Sequence, residues 1–136
     1  MQIYTDGAYK SSIDQGGIGV VWFDNGRVIQ KYSKGYKNTT NNKMEMLAMY
    51  CAFKSIKKPI DKVEFISDSK YVIGCLTKGW KRKKNKELWN MLDTEFLRVK
   101  SLVNDIIFTH VRGHRDNIGN NMADELADKA SLELLD

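Results

Sequence analysis

The chain has 136 residues, of which 42% are hydrophobic and 29% are charged, and its formal net charge is +5. A chain of this length forms one ordinary domain with a sizeable core, and this composition excludes the disordered, collagen-like and low-complexity classes. The longest apolar run, residues 46–53, is far shorter than the roughly 18 residues needed to cross a bilayer. We therefore expect a globular protein with no membrane contact.

Three strands open the chain. Residues 2–9, 17–23 and 27–33 are rich in β-branched and aromatic side chains. The Asp-Asn-Gly segment at 24–26 is typical of a hairpin turn, so we expect these strands to be antiparallel.

Helices and strands alternate after residue 40. Residues 41–58 have helical apolar spacing and end before Pro59, and residues 62–67 are again strand-like. The remaining predicted elements are a helix at 69–77, a helix at 87–100, a strand at 105–111 and a closing helix. The order βββαβααβα predicts an α/β fold: a mixed five-stranded sheet, three antiparallel strands and then parallel ones, with helices on both faces.

The N-terminus and the cysteines indicate a compartment. Residues 1–10 lack the basic and apolar regions of a secretory signal, and Cys51 and Cys75 form no CxxC pair. We expect both thiols to be small core residues in a reducing, cytoplasmic setting.

The positive charge is concentrated in one predicted loop, which also contains Trp80 and is followed by Trp89. Its cations, with no carboxylate among them, are Lys78, Lys81, Arg82, Lys83, Lys84 and Lys86. Such a loop suits a nucleic-acid backbone, but a solvated lysine loop that aids solubility has the same composition. Both interpretations stay open on charge alone.

Four carboxylates stand at the ends of predicted elements. They are Asp6 in TDGAY, Glu45 in NNKMEM, Asp68 in ISDSKY and Asp124 in NMADELAD. Each has a structural alternative: Asp6 as a turn former, Glu45 in a capping box with Asn42, Asp68 as a helix cap, and Asp124 as a complement to a helix dipole.

Taken together, the four acids favour a metal site. If the first and fourth strands are neighbours, Asp6 and Asp68 meet at one edge, while Glu45 and Asp124 each lie in a first helical turn, one position off the apolar stripe. Gathered carboxylates repel one another, and hard divalent cations remove that repulsion. Oxygen ligands suit magnesium or manganese rather than zinc, and two such ions are a known device for displacement at phosphorus.

The segments TDGAY, TTNNKMEM, SDSKYV, VRGH and ADELA, in this order, resemble the type 1 ribonuclease H family over nearly the whole chain. The resemblance implies a single catalytic domain over residues 1–136 that acts as a monomeric endonuclease. It would cut the RNA strand of RNA/DNA hybrids and leave 3′-hydroxyl and 5′-phosphate ends. It also implies two Mg²⁺ ions, with Mn²⁺ as a substitute, held by Asp6, Glu45, Asp68 and Asp124.

The same resemblance suggests further roles. His114 matches the family's mobile histidine, which suits proton handling or the release of product and metal. Asn41 and Asn42 resemble the pair that reads the hybrid's minor groove, where a 2′-hydroxyl separates RNA from DNA. Thr40 and Asn85 resemble a pocket for a phosphate of the DNA strand, with loop and cap chemistry as the alternative.

Other positions depart from the family or carry less information. The basic loop is short where cellular members often have a long basic protrusion, and Ser12 stands where the family often has an RNA-contacting asparagine. We expect Trp80 to lie against the DNA sugar-phosphate, Trp89 to be core, and His110 to be an ordinary strand histidine. We expect no hybrid-binding module before the first strand.

Two other functions remain open from the sequence. One is a binding module that holds hybrids without cutting, and metal binding would argue against it. The other is a polynucleotidyl transferase or DNA nuclease on a related fold, which cleavage of double-stranded DNA would reveal.

Overall fold

The computed structural model describes residues 1–112 and 117–133. Its strands are β1 (Gln2–Lys10), β2 (Gln15–Asp24), β3 (Arg27–Lys37), β4 (Ile60–Ser67) and β5 (Val103–His110). Its helices are α1 (Asn41–Lys54), α2 (Lys70–Thr77), α3 (Lys86–Leu102) and α4 (Ile118–Leu132). The predicted order βββαβααβα is confirmed.

The five strands form one sheet in the order β3-β2-β1-β4-β5. The β1–β2 and β2–β3 pairs are antiparallel, whereas β1–β4 and β4–β5 are parallel, as predicted. The β1–β4 ladder ends at the pair Thr5 and Ser67, so Asp6 and Asp68 both lie just beyond the last paired residues. The first and fourth strands are therefore neighbours, and their carboxylates share one end of the sheet.

Helices cover both faces of the sheet, because neighbouring glycines of β2 face different helices. A Cβ on Gly16 would collide with Met44 of α1, whereas a Cβ on Gly17 would collide with the backbone of α4 at Ala127. Side chains alternate along a strand, so α1 and α4 lie on opposite faces. The main core lies on the α1 face, where aromatic rings of Phe53, Phe65, Phe96 and Phe108 pack edge to face or stacked.

Helix α1 ends at Lys54, four residues before the predicted end at residue 58. The Arg98 guanidinium of α3 explains the early stop, because it donates hydrogen bonds to the carbonyl oxygens of Phe53 and Ile56. The Ser55 hydroxyl donates to a third carbonyl, that of Ala52. The carbonyls of Ala52 and Phe53 in the last turn of α1, and that of Ile56 just beyond it, thus have partners without a further helical turn.

The remaining predictions for core residues hold. Trp89 is 2% exposed and belongs to the core, and Cys75 is buried while Cys51 is half-buried against the core. Both thiols are free. In the part of the chain that the structure describes, no helix combines the length and apolarity needed to cross a membrane.

Candidate active site

The site lies where β1 continues past the end of β4. Asp6 is 2% exposed, and the next residue, Gly7, has no partner on β4 because the ladder between the two strands has ended at Thr5. The Gly7 N–H donates instead to two carboxylates, Asp6 Oδ1 at 2.9 Å and Glu45 Oε1 at 2.5 Å. One backbone donor therefore joins the acid of the first strand to the acid of α1.

Gly7 also allows α1 to come this close. A Cβ at Gly7 would lie 2.5 Å from the Glu45 nitrogen and 2.6 Å from the Met44 carbonyl carbon. Only a residue without a side chain fits between β1 and the start of α1. The sequence analysis missed Gly7, although a glycine directly after an acid within a strand is a signal of close backbone approach.

Asp68 completes a cluster of three carboxylates. Asp6, Glu45 and Asp68 each offer one oxygen, and these oxygens all lie within 4.8 Å of one another. Asp68 Oδ1 is buried and has no hydrogen-bond partner among the described residues. A buried acceptor without a partner is costly unless a donor or a cation supplies the missing interaction.

Asp124 reaches the same cluster from the opposite face of the sheet. Its carboxylate lies within hydrogen-bonding reach of Asp6, while the residue as a whole is exposed. The cluster therefore has a buried floor, formed by Asp6 and Glu45, and opens toward water at Asp124.

The electrostatics of the cluster follow from burial and crowding. Burial, and then the negative charges of Glu45, Asp68 and Asp124, raise the pKa of Asp6 to about 10. Burial and the neighbouring Asp68 also raise the pKa of Glu45 well above its ordinary value, against the lowering effect of the Gly7 N–H. Without a cation, Asp6 at the floor of the cluster therefore holds a proton at neutral pH.

Other residues perform the capping functions that the acids could have had. Thr40 caps α1 by accepting from the Lys43 N–H, Ser69 caps α2, and Asn117 caps α4. Asp68 is therefore not a helix cap, and Glu45 bonds to Gly7 rather than closing a capping box with Asn42.

The predicted placement of two acids in first helical turns is wrong. Neither α1 nor α4 has an acidic residue in its first turn. α4 begins at Ile118, so Asp124 lies in its second turn, and Glu45 follows the first turn of α1. The effect of a helix dipole falls off within the first turn, so it does not account for these acids.

The basic loop differs from the prediction at one residue. Arg82 forms an ion pair with Asp93 of α3, lies 4.3 Å from the centroid of the Trp89 ring, and donates to the Cys75 carbonyl. It therefore ties the loop to α2 and α3. The other cations of the loop are exposed, namely Lys78, Lys81, Lys83, Lys84 and Lys86.

One aromatic side chain, Trp80, and one polar side chain, Asn85, lie near the two ends of this loop. Trp80 is 38% exposed, and its ring packs on Gly74 of α2, where a Cβ would collide with it. Asn85 adopts a left-handed conformation with φ of 64° before α3 and makes no capping bond. Its amide lies 4.0 Å from the sulfur of Met46, next to Glu45 in α1.

Asn85 also lies between the loop and the N-terminal end of α1. It lines a pocket of about 320 Å³ together with Arg82, Lys83, Lys84, Lys86, Trp89 and Asn90. It lines a second pocket of about 420 Å³ that includes Lys43 of α1. Asn85 therefore lies between two adjacent pockets, one lined by the lysine loop and the other reaching the first turn of α1.

The remaining predicted contact residues are placed as follows. Asn41 and Asn42 are exposed in the first turn of α1, and Ser12 is exposed in the turn between β1 and β2. His110 is exposed on β5, with its Nε2 3.2 Å from the Asp68 carbonyl oxygen, an ordinary hydrogen bond. His114 lies outside the described residues.

The donor set fits a hard divalent cation. It contains only oxygen ligands, it includes the unpartnered buried Oδ1 of Asp68, and it gathers charges that a cation would neutralise. Because metal binding needs ionised carboxylates, it would release the proton that Asp6 otherwise holds.

Comparison with known proteins gives matches over nearly the whole chain. A sequence model of the RNase H family matches residues 1–132. Ribonuclease H of Actinobacillus pleuropneumoniae serotype 5b (strain L20) is 40% identical and covers 93% of this chain and 87% of its own length. Ribonuclease H of Trichodesmium erythraeum (strain IMS101) is 38% identical, with coverages of 97% and 88%. The crystal structure of LC11-RNase H1 in complex with RNA/DNA hybrid has a TM-score of 0.79 at 26% identity and covers 96% of this chain and 95% of that chain.

Proposed function

This chain belongs to the RNase H family, and we propose that it hydrolyses the RNA strand of RNA/DNA hybrids at a divalent-metal site. It is a ribonuclease H, a metal-dependent endoribonuclease. We further propose that the products carry 5′-phosphate and 3′-hydroxyl ends. The observation that carries the proposal is the convergence of Asp6, Glu45 and Asp68 within 4.8 Å, with Asp124 beside Asp6.

We propose that Asp6, Glu45, Asp68 and Asp124 are catalytic metal ligands for two Mg²⁺ ions, which Mn²⁺ can replace. When bound, such ions activate a water molecule and stabilise the departing oxygen at phosphorus. The chain's own contribution is to hold four acids at one place before substrate arrives, with the Gly7 N–H fixing two of them. Burial keeps the Asp6 and Glu45 side chains from rotating into water.

We propose that the hybrid lies across the exposed side of this cluster. Asn41 and Asn42, in the first turn of α1, would read the minor groove, and Ser12 would donate to the RNA strand. Thr40 and Asn85 would flank a phosphate of the DNA strand. The capping bond of Thr40 uses its hydroxyl oxygen as an acceptor, so its O–H remains able to donate to a phosphate.

The exposed lysines and Trp80 would extend this surface along the DNA strand. Cations that face water contribute to affinity through release of counterions from phosphates. His114 would move protons or assist product release, because an imidazole titrates near neutral pH. Arg82 would act by holding the loop, since its guanidinium is engaged by Asp93 and by the Trp89 ring.

We also propose that residues 1–136 form one catalytic domain and that one chain is the active unit, because all four acids come from a single chain. A cytoplasmic location is part of this proposal. The two free thiols support a reducing compartment.

Strand-specific cleavage tests the function directly. Matched RNA/DNA, RNA/RNA and DNA/DNA duplexes, each labelled on one strand, would be incubated with Mg²⁺ at low salt. We expect cleavage of the RNA strand of the hybrid alone. Intact hybrid would indicate a binding module, and cleaved double-stranded DNA would indicate a DNA nuclease or polynucleotidyl transferase.

A further inference from the structure

Helix α4 comes unusually close to the sheet at two glycines of β2. A Cβ on Gly19 of β2 would collide with the Ala123 carbonyl oxygen and lie 2.9 Å from the Ala127 nitrogen. A Cβ on Gly17 would collide with the Ala127 carbonyl oxygen and lie 2.6 Å from the Ser131 nitrogen. The backbone of α4 therefore rests directly on two glycines of β2.

The helix presents small residues to these glycines. Ala123 and Ala127 are fully buried, and Ala130 is 4% exposed. With so little side-chain volume at the contact, the distance between helix and sheet is set by backbone atoms. Any added carbon would have to be accommodated by moving α4 outward, because the colliding atoms belong to its backbone.

One of the two glycines lies at the carboxylate cluster. In the β1–β2 register, Gly19 is the partner of Asp6. Its closest neighbour on α4 is Ala123, which directly precedes Asp124. Gly17 is paired with Ala8, further along β1, and seats α4 at Ala127, three residues beyond Asp124.

We propose that Gly19 is a positioning residue for the candidate metal site: its missing side chain lets α4 approach β1 closely enough for Asp124 to reach Asp6. Gly17 provides the same kind of packing without setting the position of Asp124. This inference rests on the proposed function, because it assigns the purpose of the approach to metal binding.

The matched pair Gly19→Ala and Gly17→Ala separates positioning from packing. We expect both variants to melt at a lower temperature in EDTA, because both add a carbon to a tight contact. Titration calorimetry with Mg²⁺ should then show an affinity about 10-fold lower for Gly19→Ala, the scale seen when the support of a metal ligand is lost. The affinity of Gly17→Ala should stay within about 2-fold of wild type.

A compensating substitution tests the direction of the movement. If Gly19→Ala pushes α4 outward, the longer side chain of Asp124→Glu should restore Mg²⁺ affinity in the double variant. In the wild-type background, where the spacing is already short, Asp124→Glu alone should lower Mg²⁺ affinity. This single variant leaves the glycine contact intact, so it keeps the inference testable even if Gly19→Ala does not fold.

Equal Mg²⁺ affinities for the two alanine variants, or an Asp124→Glu variant that binds Mg²⁺ like wild type, would overturn the positioning role. These results would leave the proposed function standing if wild type binds Mg²⁺ and cleaves hybrid. Failure of wild type itself to bind Mg²⁺ would instead count against the proposed function.

Discussion

Asp6 and Glu45 are 2% and 8% exposed, whereas the lysines from Lys78 to Lys86 all face water. The acids interact over short distances in a medium that screens them poorly, so each one changes the ionisation of the others. The lysines are screened by salt and act nearly independently. The negative region is therefore suited to selecting a cation and performing chemistry, and the positive region to holding a charged polymer.

Asp6→Asn removes one carboxylate from the buried region and should cause the largest loss of hybrid cleavage. Loss of a carboxylate at the floor of the cluster should lower hybrid cleavage by at least about 100-fold, the scale of removing one preorganised electrostatic group. Without metal at neutral pH, the variant should be more stable than wild type by roughly 1–3 kcal/mol, because wild-type Asp6 must take up a proton when the chain folds and an amide has no such cost. Cleavage assays and urea unfolding in EDTA measure the two changes.

A variant that loses activity and is also less stable in EDTA would contradict this interpretation. It would show that Asp6 has a structural role that the cluster's repulsion does not outweigh. Asp24→Asn, at the exposed end of β2 and away from the cluster, makes the same chemical change and serves as a control for general effects on folding.

His114→Ala tests whether a residue from neither region limits the reaction. We expect slower turnover, by up to the 10²- to 10⁴-fold typical of a general acid or base, with cleavage still detectable. Its pH profile should also lose an inflection near neutrality. A variant with wild-type turnover at every pH would place all of the chemistry in the carboxylate cluster.

The stability of the metal-free protein should fall as pH rises. The folded-state pKa of Asp6, about 10, lies above its ordinary value of 3.8, so the folded protein keeps a proton that the unfolded chain releases. Stability is therefore complete below about pH 4 for this group and is lost progressively toward pH 10. Urea unfolding in EDTA across this range should show the decline.

Saturating Mg²⁺ should flatten this pH dependence, because a bound cation keeps the carboxylates ionised. Asp6→Asn should flatten it without metal. A metal-free wild type that becomes more stable as pH rises would contradict the electrostatics of the buried region.

Removal of three loop lysines tests the exposed positive region of the comparison. Lys81→Ala, Lys83→Ala and Lys84→Ala together should weaken hybrid binding about 10-fold at low salt. The slope of log affinity against log salt should fall by up to about 3, because each lysine that neutralises a phosphate contributes nearly one to that slope. Lys57→Ala, Lys58→Ala and Lys62→Ala together remove the same number of charges from exposed positions outside the loop and give a matched control.

Fluorescence anisotropy with labelled hybrid over a range of salt concentrations measures this change. The Mg²⁺ affinity of the triple variant should match that of wild type. An unchanged salt slope would show that the lysine loop is only a solvated surface, the alternative that its composition leaves open.

Trp80→Ala should have the smallest effect on activity. Because the ring packs on Gly74 and remains 38% exposed, its loss should lower hybrid affinity by about 1 kcal/mol, within the range measured for aromatic side chains that stack on nucleic acid. Binding isotherms at fixed salt measure it. A larger loss of thermal stability than of affinity would make Trp80 a packing residue.

The sequence was sufficient for the order and direction of the strands because turn residues and apolar periods are local signals. It also identified Asp6, Glu45, Asp68 and Asp124 as candidates. The structure brings the first three together at the end of the β1–β4 ladder and places Asp124 beside Asp6. The end of α1 was misplaced because Arg98, over 40 residues away, supplies partners for its last carbonyls.

Long-range contacts also explain what the sequence analysis missed at the site. The Gly7 N–H donates to two acids because β4 ends at Ser67 and offers it no partner. The Arg82 charge is not free to bind a phosphate because it is paired with Asp93 of α3. No repeating pattern of residues in the sequence indicates either contact. Both depend on which elements become neighbours, and local patterns do not encode this.

A crystal structure of wild type grown with Mn²⁺, with anomalous diffraction, would show whether the acidic cluster binds metal. We expect anomalous peaks bounded by carboxylate oxygens of Asp6, Glu45 and Asp68, with Asp124 oriented toward them, and no such peaks in Asp6→Asn. Mn²⁺ bound elsewhere, with no anomalous peak among the four carboxylates, would contradict the metal assignment.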